Sequence, residues 1–472
     1  MTRQPIPQPI PQPMPQTTLG RVAPRSDVVA AARAAPTHSP THSHSQPHRF
    51  GAMRTRDLTI WGVFAVVLVL APLLFTSSLA VTMLSQVGIA IVACLAYNIL
   101  LGQGGMLSFG HAVYSGLASF VAIHALKSIS TGGLPIPVSL IPLVGGFTGL
   151  AFAILLGFVT TKKAGTTFSM ITLGLGELVF AMSLMIPEFF GGEAGVAANR
   201  VIGKPVFGIS FGPQIQVYYL LAFYTLICTA AMYAFTRTPL GRMLNAVRDN
   251  PERVEFIGYS TQHVRYIAFI ISGFFAGIAG GMYALNFEIA TAEVVGAGRS
   301  GAYLLFTFLG GATFFFGPII GAVLMVVASV LLSEITKAWL LYLGLVFMFM
   351  VMFAPGGIAS LIMMNLRVYK FGKLPRLLRG YAGLIATSLV LFVGAAAMIE
   401  MLYHLELDMA MGSALHFMGF TLDVHSLTSW LGGVAVTAVG VILFMVARRR
   451  FARDWGDVQG EIEAEIRQRE AA

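Results

Sequence analysis

Few residues in this chain can do chemistry, and those that can stand out against an apolar background. From Asn98 to Phe120 the sequence reads NILLGQGGMLSFGHAVYSGLASF, with Gly102, Gly104 and Gly105 interrupting an apolar run and Gln103 between them. Ser108 and His111 follow three residues apart, so they would share one helix face. At membrane depth, glycine and polar residues are tolerated only against protein or a water-filled cavity. A helix broken in this way can offer its freed backbone groups to a solute. Close helix packing through small residues accounts equally well for the glycines. For His111 an interhelical hydrogen bond is favoured over contact with a solute. Glu177 lies well inside another apolar run, MITLGLGELVFAMSL. A charge there costs about 2.5–3.5 kcal/mol on insertion scales and needs a reason: polarising a path, pairing with a neighbour, or snorkelling to an interface. Asn98, Gln103, Ser108, His111 and Glu177 are therefore the candidates to line a polar path.

A second polar interval, GRMLNAVRDNPERVEFIGYS, runs from Gly241 to Ser260. Pro239 and Gly241 are expected to close the preceding helix. Met243, Leu244, Val247, Val254 and Ile257 recur at helical spacing, which predicts short amphipathic turns broken at Asn250–Pro251. An apolar face on such a helix suits docking into a groove on a partner. An ordinary charged loop would explain the interval equally well. Gly273, Gly277 and Gly281 recur every four residues and mark a smooth face for close helix packing. The chain has no G-x-x-x-x-G-K-[ST] phosphate cradle, since Gly203–Lys204 and Gly372–Lys373 lack its other residues. Any ATP would have to be bound by another subunit. Cys94 and Cys228 lie in apolar runs and read as small packing residues, with no metal-ligand spacing around them. No cofactor or metal is expected.

The elements that must hold these residues follow from composition. The 472 residues are 56% hydrophobic and 11% charged, against about 25% charged in a soluble domain. Repeated apolar stretches of roughly 20 residues match a bilayer core and must be helical there. The runs are too long for the alternating strands of an outer-membrane barrel. They fall at residues 58–75, 81–101, 106–126, 138–160, 169–185, 215–235, 264–285, 301–316, 318–332 and 338–353, then at 381–403 and 428–446. The expected fold is an all-α polytopic transmembrane bundle of about ten core spans plus two C-terminal spans. Gly317–Pro318 interrupts two short runs, so a re-entrant half-helix is possible there.

Residues 1–52 are rich in Pro, Gln and His and are expected to be a disordered tail. His38, His42, His44 and His48 read as a solvated tract rather than a metal site, and Met53 could be the native start. The core is expected at 53–366, a basic linker with two spans at 367–447, and a charged cytoplasmic tail at 448–472. The net charge of +9 comes from Lys and Arg beside apolar runs, not from a polar face that would bind nucleic acid. Arg54 and Arg56, Lys162–Lys163, the 237–265 stretch, the 367–379 linker and Arg448–Arg450 all agree with one parity, with both termini inside. Glu193, Glu288, Glu293, Glu406, Asp408 and Asp423 then fall outside.

The Asn98–Phe120 stretch resembles the glycine-rich segment of LivM-type permease subunits of branched-chain amino acid ABC importers. Gly241–Ser260 resembles the cytoplasmic coupling loop of the same family. YIAFIISGFFAGIAGGMYA, LGGATFFFGPIIGA and FAPGGI follow in family order, and the resemblance covers about Leu58 to Ile358. It implies a pore made with a sister permease or a second copy, ABC ATPase subunits docked under the loop, a periplasmic solute-binding protein, and a lipid-embedded chain in a bacterial inner membrane. Gly241, Arg242, Arg248, Asn250, Glu252 and Gly258 carry over to the coupling loop, while Val254 and Phe256 replace small alanines. The resemblance implies alternating access driven by ATP on the partner, and no enzyme activity in this chain. Urea, amide and some sugar permeases share much of the pattern, so those solutes stay open. So does a proton-coupled secondary transporter, though such proteins usually place more ionisable residues in their spans. No cluster of catalytic residues favours a membrane-embedded enzyme. A reporter fused after Val446 is expected to signal from the cytoplasm, and a periplasmic signal would overturn the parity.

Overall fold

The computed structural model describes residues 55–201, 210–407, 414–417 and 419–471. The N-terminal tail with its histidines, Met53, Gly203–Lys204 and Asp408 lie outside the described residues. Helix α1 spans Thr55–Leu74, and α2 spans Ser78–Asn98, opened by the Ser77 hydroxyl, which accepts from the Ala80 amide at 3.2 Å. A single π-helical turn, Ile99–Gln103, ends α2. Residues 104–111 are not helical, and α3 begins only at Ala112 and runs to Ser130. The apolar run expected at 106–126 is thus a break followed by a helix, because the paired glycines and Ser108 end one helix before the next can start. Next come α4 (Ile141–Thr160), α5 (Gly165–Met185), β1 (Val196–Ala197) and α6 (Gln214–Arg237).

Two short helices, α7 (Pro239–Asp249) and α8 (Pro251–Phe256), lead into α9 (Thr261–Phe287). β2 (Ile289–Ala290) pairs antiparallel with β1, Val196 opposite Ala290. α10 (Ala297–Gly310) has 14 residues, about 21 Å of helix, and so covers part of a bilayer core. α11 (Gly317–Val327) continues through a second π-helical turn to Ile335, long enough to cross. α12 (Trp339–Phe353) and α13 (Gly357–Lys370) are bent by 50° at their junction. α14 (Leu374–Leu407), the hairpin β3 (Ala414–Phe417) and β4 (Phe420–Asp423), and α15 (Leu427–Ala471) complete the chain. Among the described residues nine helices are long and apolar enough to cross a membrane, or ten if the bent pair is one span. The fold is all-α and polytopic, and large side chains such as Phe147, Leu155, Met170 and Phe223 face outward as a lipid-embedded surface requires.

The centre of the bundle is the contact between α4 and α9. A Cβ on Gly277 would lie 2.3 Å from the Gly145 carbonyl oxygen, and one on Gly149 2.2 Å from the Gly273 carbonyl oxygen. Gly281 meets Pro142, and Gly273 meets Ala153. The glycine stripe on α9 therefore meets a second small-residue stripe on α4, and the backbones touch. Side-chain hydroxyls add bonds between helices: Ser272 to the Ala96 carbonyl at 2.6 Å, Thr307 to Cys94 at 3.3 Å and Ser119 to Gly280 at 2.9 Å. Cys94 and Cys228 are buried free thiols.

At the far end of the chain, Val368, Leu377, Val458 and Ile462 form a separate small core joining α13, α14 and α15. Glu461 there pairs with Lys373 and Arg376, each at 2.8 Å. The 45 residues of α15 span about 67 Å, so the helix continues well past its apolar part. Gly277→Val is expected to cost about 3 kcal/mol by overpacking, because the atom it meets is backbone. The melting temperature of the detergent-purified protein should fall by roughly 5 °C or more. Gly174→Ala, with open space at its Cβ, should leave it unchanged.

Candidate functional site

The Gly104 and Gly105 amides still bond back to the Leu100 and Leu101 carbonyls and Met106 to Leu100, but from there to His111 the chain is not helical and its polar groups must be met by side chains. Three helices supply them. From α5, Ser169 donates to the Leu107 carbonyl at 2.7 Å and the Thr172 hydroxyl accepts from the Phe109 amide at 3.2 Å. From α2, the Tyr97 hydroxyl donates to the Ser108 carbonyl at 2.9 Å. From α10, the Ser300 hydroxyl accepts from the Ala112 amide at 3.0 Å. Gly110 allows the segment to lie against α5, since a Cβ there would sit 2.2 Å from the Thr172 carbonyl oxygen. Gly102 is equally confined, between the Asn98 side chain and the Ala312 carbonyl oxygen in the α10–α11 turn.

The same break is wired to the α7–α8 loop. Arg248, on the last turn of α7, donates to the Gly102 carbonyl and pairs with Asp249 at 2.9 Å. Its aliphatic stem covers Gly105, whose Cβ position lies 2.8 Å from the Arg248 Cγ. The preceding helix ends at Arg237, with Thr238 held extended before Pro239. Thr238 caps α7, accepting from the Gly241 amide at 3.2 Å, and Pro239 opens it, as suits a residue without an amide hydrogen. Asn250 breaks the pair of helices and caps α8, accepting from the Arg253 amide at 3.1 Å. Leu244, Val247 and Val254 turn into the bundle and are buried. Phe256, Ile257 and Tyr259 turn away from it, at 88%, 65% and 54% exposed. Gly258 takes a left-handed φ of 87°, which lets the chain reverse between them. Arg242 and Glu252 are exposed.

Asn98, Gln103, Ser108 and His111 gather at the break, each no more than 9% exposed. His111 does not make the interhelical hydrogen bond expected of it. Neither ring nitrogen has a partner among the described residues. The ring packs edge-on to Tyr97 at 5.1 Å and beside Tyr114 at 6.1 Å, while the Tyr97 hydroxyl is taken up by Ser108. The Asn98 side-chain oxygen Oδ1, the Ser108 hydroxyl and the Tyr114 hydroxyl are also buried without partners among the described residues.

Glu177 stands apart from this group. It is exposed on α5 and lines a cavity of about 790 Å³ between α5, α10, α11 and α12. Glu293 and Arg299 line the same space, and the Arg299 guanidinium lies 4.9 Å from the centre of the Tyr283 ring. Sequence reasoning missed Arg299. Its signal was readable, because an arginine beside an apolar run stands out in a chain with so few charges. It missed Arg200 as well, for which no local pattern exists. Arg200 bonds the carbonyls of Leu285 and Asn286 at the end of α9, each at 3.2 Å, and those of Phe211 and Gly212 at 2.9 and 3.3 Å. Its own amide donates to Glu288 at 2.7 Å. A cation suits the negative end of a helix, so the loop before α6 is tied there.

Comparison with known proteins gives a consistent picture. Residues 79–355, more than half of the 472-residue chain, match the family described as branched-chain amino acid transport system / permease component. The chain is 26% identical over 294 residues to the high-affinity branched-chain amino acid transport system permease protein LivM of Salmonella typhimurium, covering 57% of this chain and 67% of that protein. It is 26% identical over 297 residues to LivM of Escherichia coli, with the same coverage. It is 24% identical over 213 residues to the guanosine ABC transporter permease protein NupQ of Bacillus subtilis, covering 36% of this chain and 65% of that one. No solved structure matches the chain. The matched residues run from the start of α2 past the end of α12 and take in the break, the α7–α8 loop and the cavity. The chain therefore belongs to the permease component family of branched-chain amino acid transport systems.

Proposed function

We propose that this chain is the permease subunit of a bacterial inner-membrane ABC importer that carries leucine, isoleucine and valine into the cytoplasm. ATP is hydrolysed on partner ATPases, and a solute-binding protein on the outer side supplies the ligand. The pore is completed by a sister permease or a second copy of this chain. The observation that supports coupling to such partners is the contact between Arg248 and Gly102. It joins a loop with an outward apolar face to the π-helical turn that ends α2 just before the break. Phe256, Ile257 and Tyr259 offer an apolar anchor to a groove on the ATPase, as amphipathic helices do elsewhere. A push on α7 would be delivered by Arg248 to the end of α2 and to the break, where the α10–α11 turn also touches Gly102. Such a linkage suits alternating access, in which small movements at one site are passed on by packed elements with two arrangements.

Uptake of radiolabelled leucine into cells with and without the gene tests the substrate. Gene-dependent uptake blocked by valine but not by urea, aspartate, ribose or guanosine is the expected result. Gene-independent leucine uptake would overturn the branched-chain assignment. Arg248→Ala tests the coupling. A hydrogen bond to a charged group is worth about 1.5–3 kcal/mol, so leucine uptake should fall roughly tenfold or more while the ATPases still copurify. Unchanged uptake would show that the contact transmits nothing.

A further inference from the structure

The cavity between α5, α10, α11 and α12 carries three ionisable groups, Glu177, Glu293 and Arg299, that are in no ion pair among the described residues. An arginine remains protonated at any ordinary pH. Placed half-buried in a bundle, it calls for an anionic partner. It is fixed rather than free, because its guanidinium lies against the Tyr283 ring. It also borders a smaller pocket of about 60 Å³ against α2. Glu293 lies in the turn just before α10, six residues from Arg299, and both line the same cavity. A cation and an anion therefore face one space. Phe306, Trp339 and Leu343 make an apolar wall to the same space.

This pairing has a specific chemical complement. A carboxylate fits the guanidinium fork through two parallel hydrogen bonds, and an ammonium group fits a carboxylate acceptor. A ligand carrying both on one carbon, with an aliphatic side chain beyond them, meets all three surfaces at once. The volume lies in the range of sites that hold small molecules. We propose that this cavity binds the α-amino acid zwitterion during transport, with Arg299 holding the carboxylate, Glu293 the ammonium group and the Phe306–Trp339–Leu343 wall the aliphatic side chain. Glu177, on α5, adds a second carboxylate that disfavours anionic solutes. The proposal rests on the amino acid reading above and adds to it a selective site inside the permease.

The test uses the assembled transporter in proteoliposomes, with its ATPases, sister permease and binding protein, irradiated with photo-leucine and mapped by mass spectrometry. Label is expected on the segments holding Phe306 or Trp339–Leu343. Excess leucine should remove it, whereas leucinamide and 4-methylpentanoate, each lacking one of the two charges, should not. Arg299→Gln should lower the label and leucine uptake at least tenfold, Arg299→Lys should restore part of both, and the sister permease should copurify with either variant. Label elsewhere on the chain, or unchanged label in Arg299→Gln, would overturn this site while leaving the importer assignment standing, provided wild type takes up leucine. Loss of the sister subunit from Arg299→Gln would also overturn it, since the charge would then serve an interface between permeases. Failure of wild type to import leucine would remove the substrate assignment and this site with it.

Discussion

Lipid offers no hydrogen bonds, so every backbone group inside the bilayer must find a partner in the protein, and the break at residues 104–111 is where this chain answers that demand. At the break and its two edges, Ser169, Thr172, Tyr97 and Ser300 supply donors and acceptors from three different helices, and Arg248, on the last turn of α7, supplies one more to Gly102. Each partner is positioned by its own helix, so α2, α5, α7 and α10 all meet the backbone between Gly102 and Ala112. That is why a small irregular segment can organise so much of the bundle. The same economy makes it a sensitive point. A shift of any one of these helices exposes an unpaired group, and the bundle is then driven toward another arrangement in which the group is met again.

Glycines make the arrangement possible in a different way. Between α4 and α9 they let two backbones touch over three turns, which holds these helices by dispersion contact where hydrophobic burial from lipid has little to offer. At Gly102 and Gly110 they remove side chains that would collide with carbonyls of neighbouring segments. The two uses call for different tolerance. A stripe such as Gly145, Gly149 and Gly277 spreads the contact over many atoms. Gly102 sits in a single crossing of α2, the α10–α11 turn and the Arg248 side chain, and no neighbour can yield for it.

The legibility of the molecule in its sequence follows from these constraints. Long apolar runs made the spans and the all-α class readable, because hydropathy over about 20 residues leaves few alternatives. The glycine stripe on α9 was readable for the same reason, since its spacing is that of the helix. Hydropathy could not place the end of α2. Residues 104–111 are apolar enough to pass as the start of a span, and only the structure shows that their backbone is bonded by side chains from elsewhere. The role expected of His111 failed on a related point. Sequence supplies the donor but not the geometry, and the ring lies edge-on to Tyr97, whose hydroxyl is taken up by Ser108. The inward turn of Arg248 was likewise invisible, because a loop arginine reads the same whether it faces water or a carbonyl.

Two arginines, Arg200 and Arg299, show how partnership separates structural from functional charge. Arg200 is 9% exposed and its guanidinium is surrounded by acceptors: four carbonyls, the Gln214 side chain at 3.1 Å and Glu288 at 4.0 Å. Its desolvation is offset within the chain, it closes the end of α9, and nothing further is asked of it. Arg299 has a ring behind it and open cavity before it, with Glu293 lining the same space. Its charge is positioned at the same expense of order but left to be answered from outside the chain. A bundle with so few ionisable groups has little reason to keep such a residue for stability alone. The difference between the two arginines lies in what the chain has arranged around each, and it is this arrangement, rather than residue type, that marks the cavity as a place where something binds.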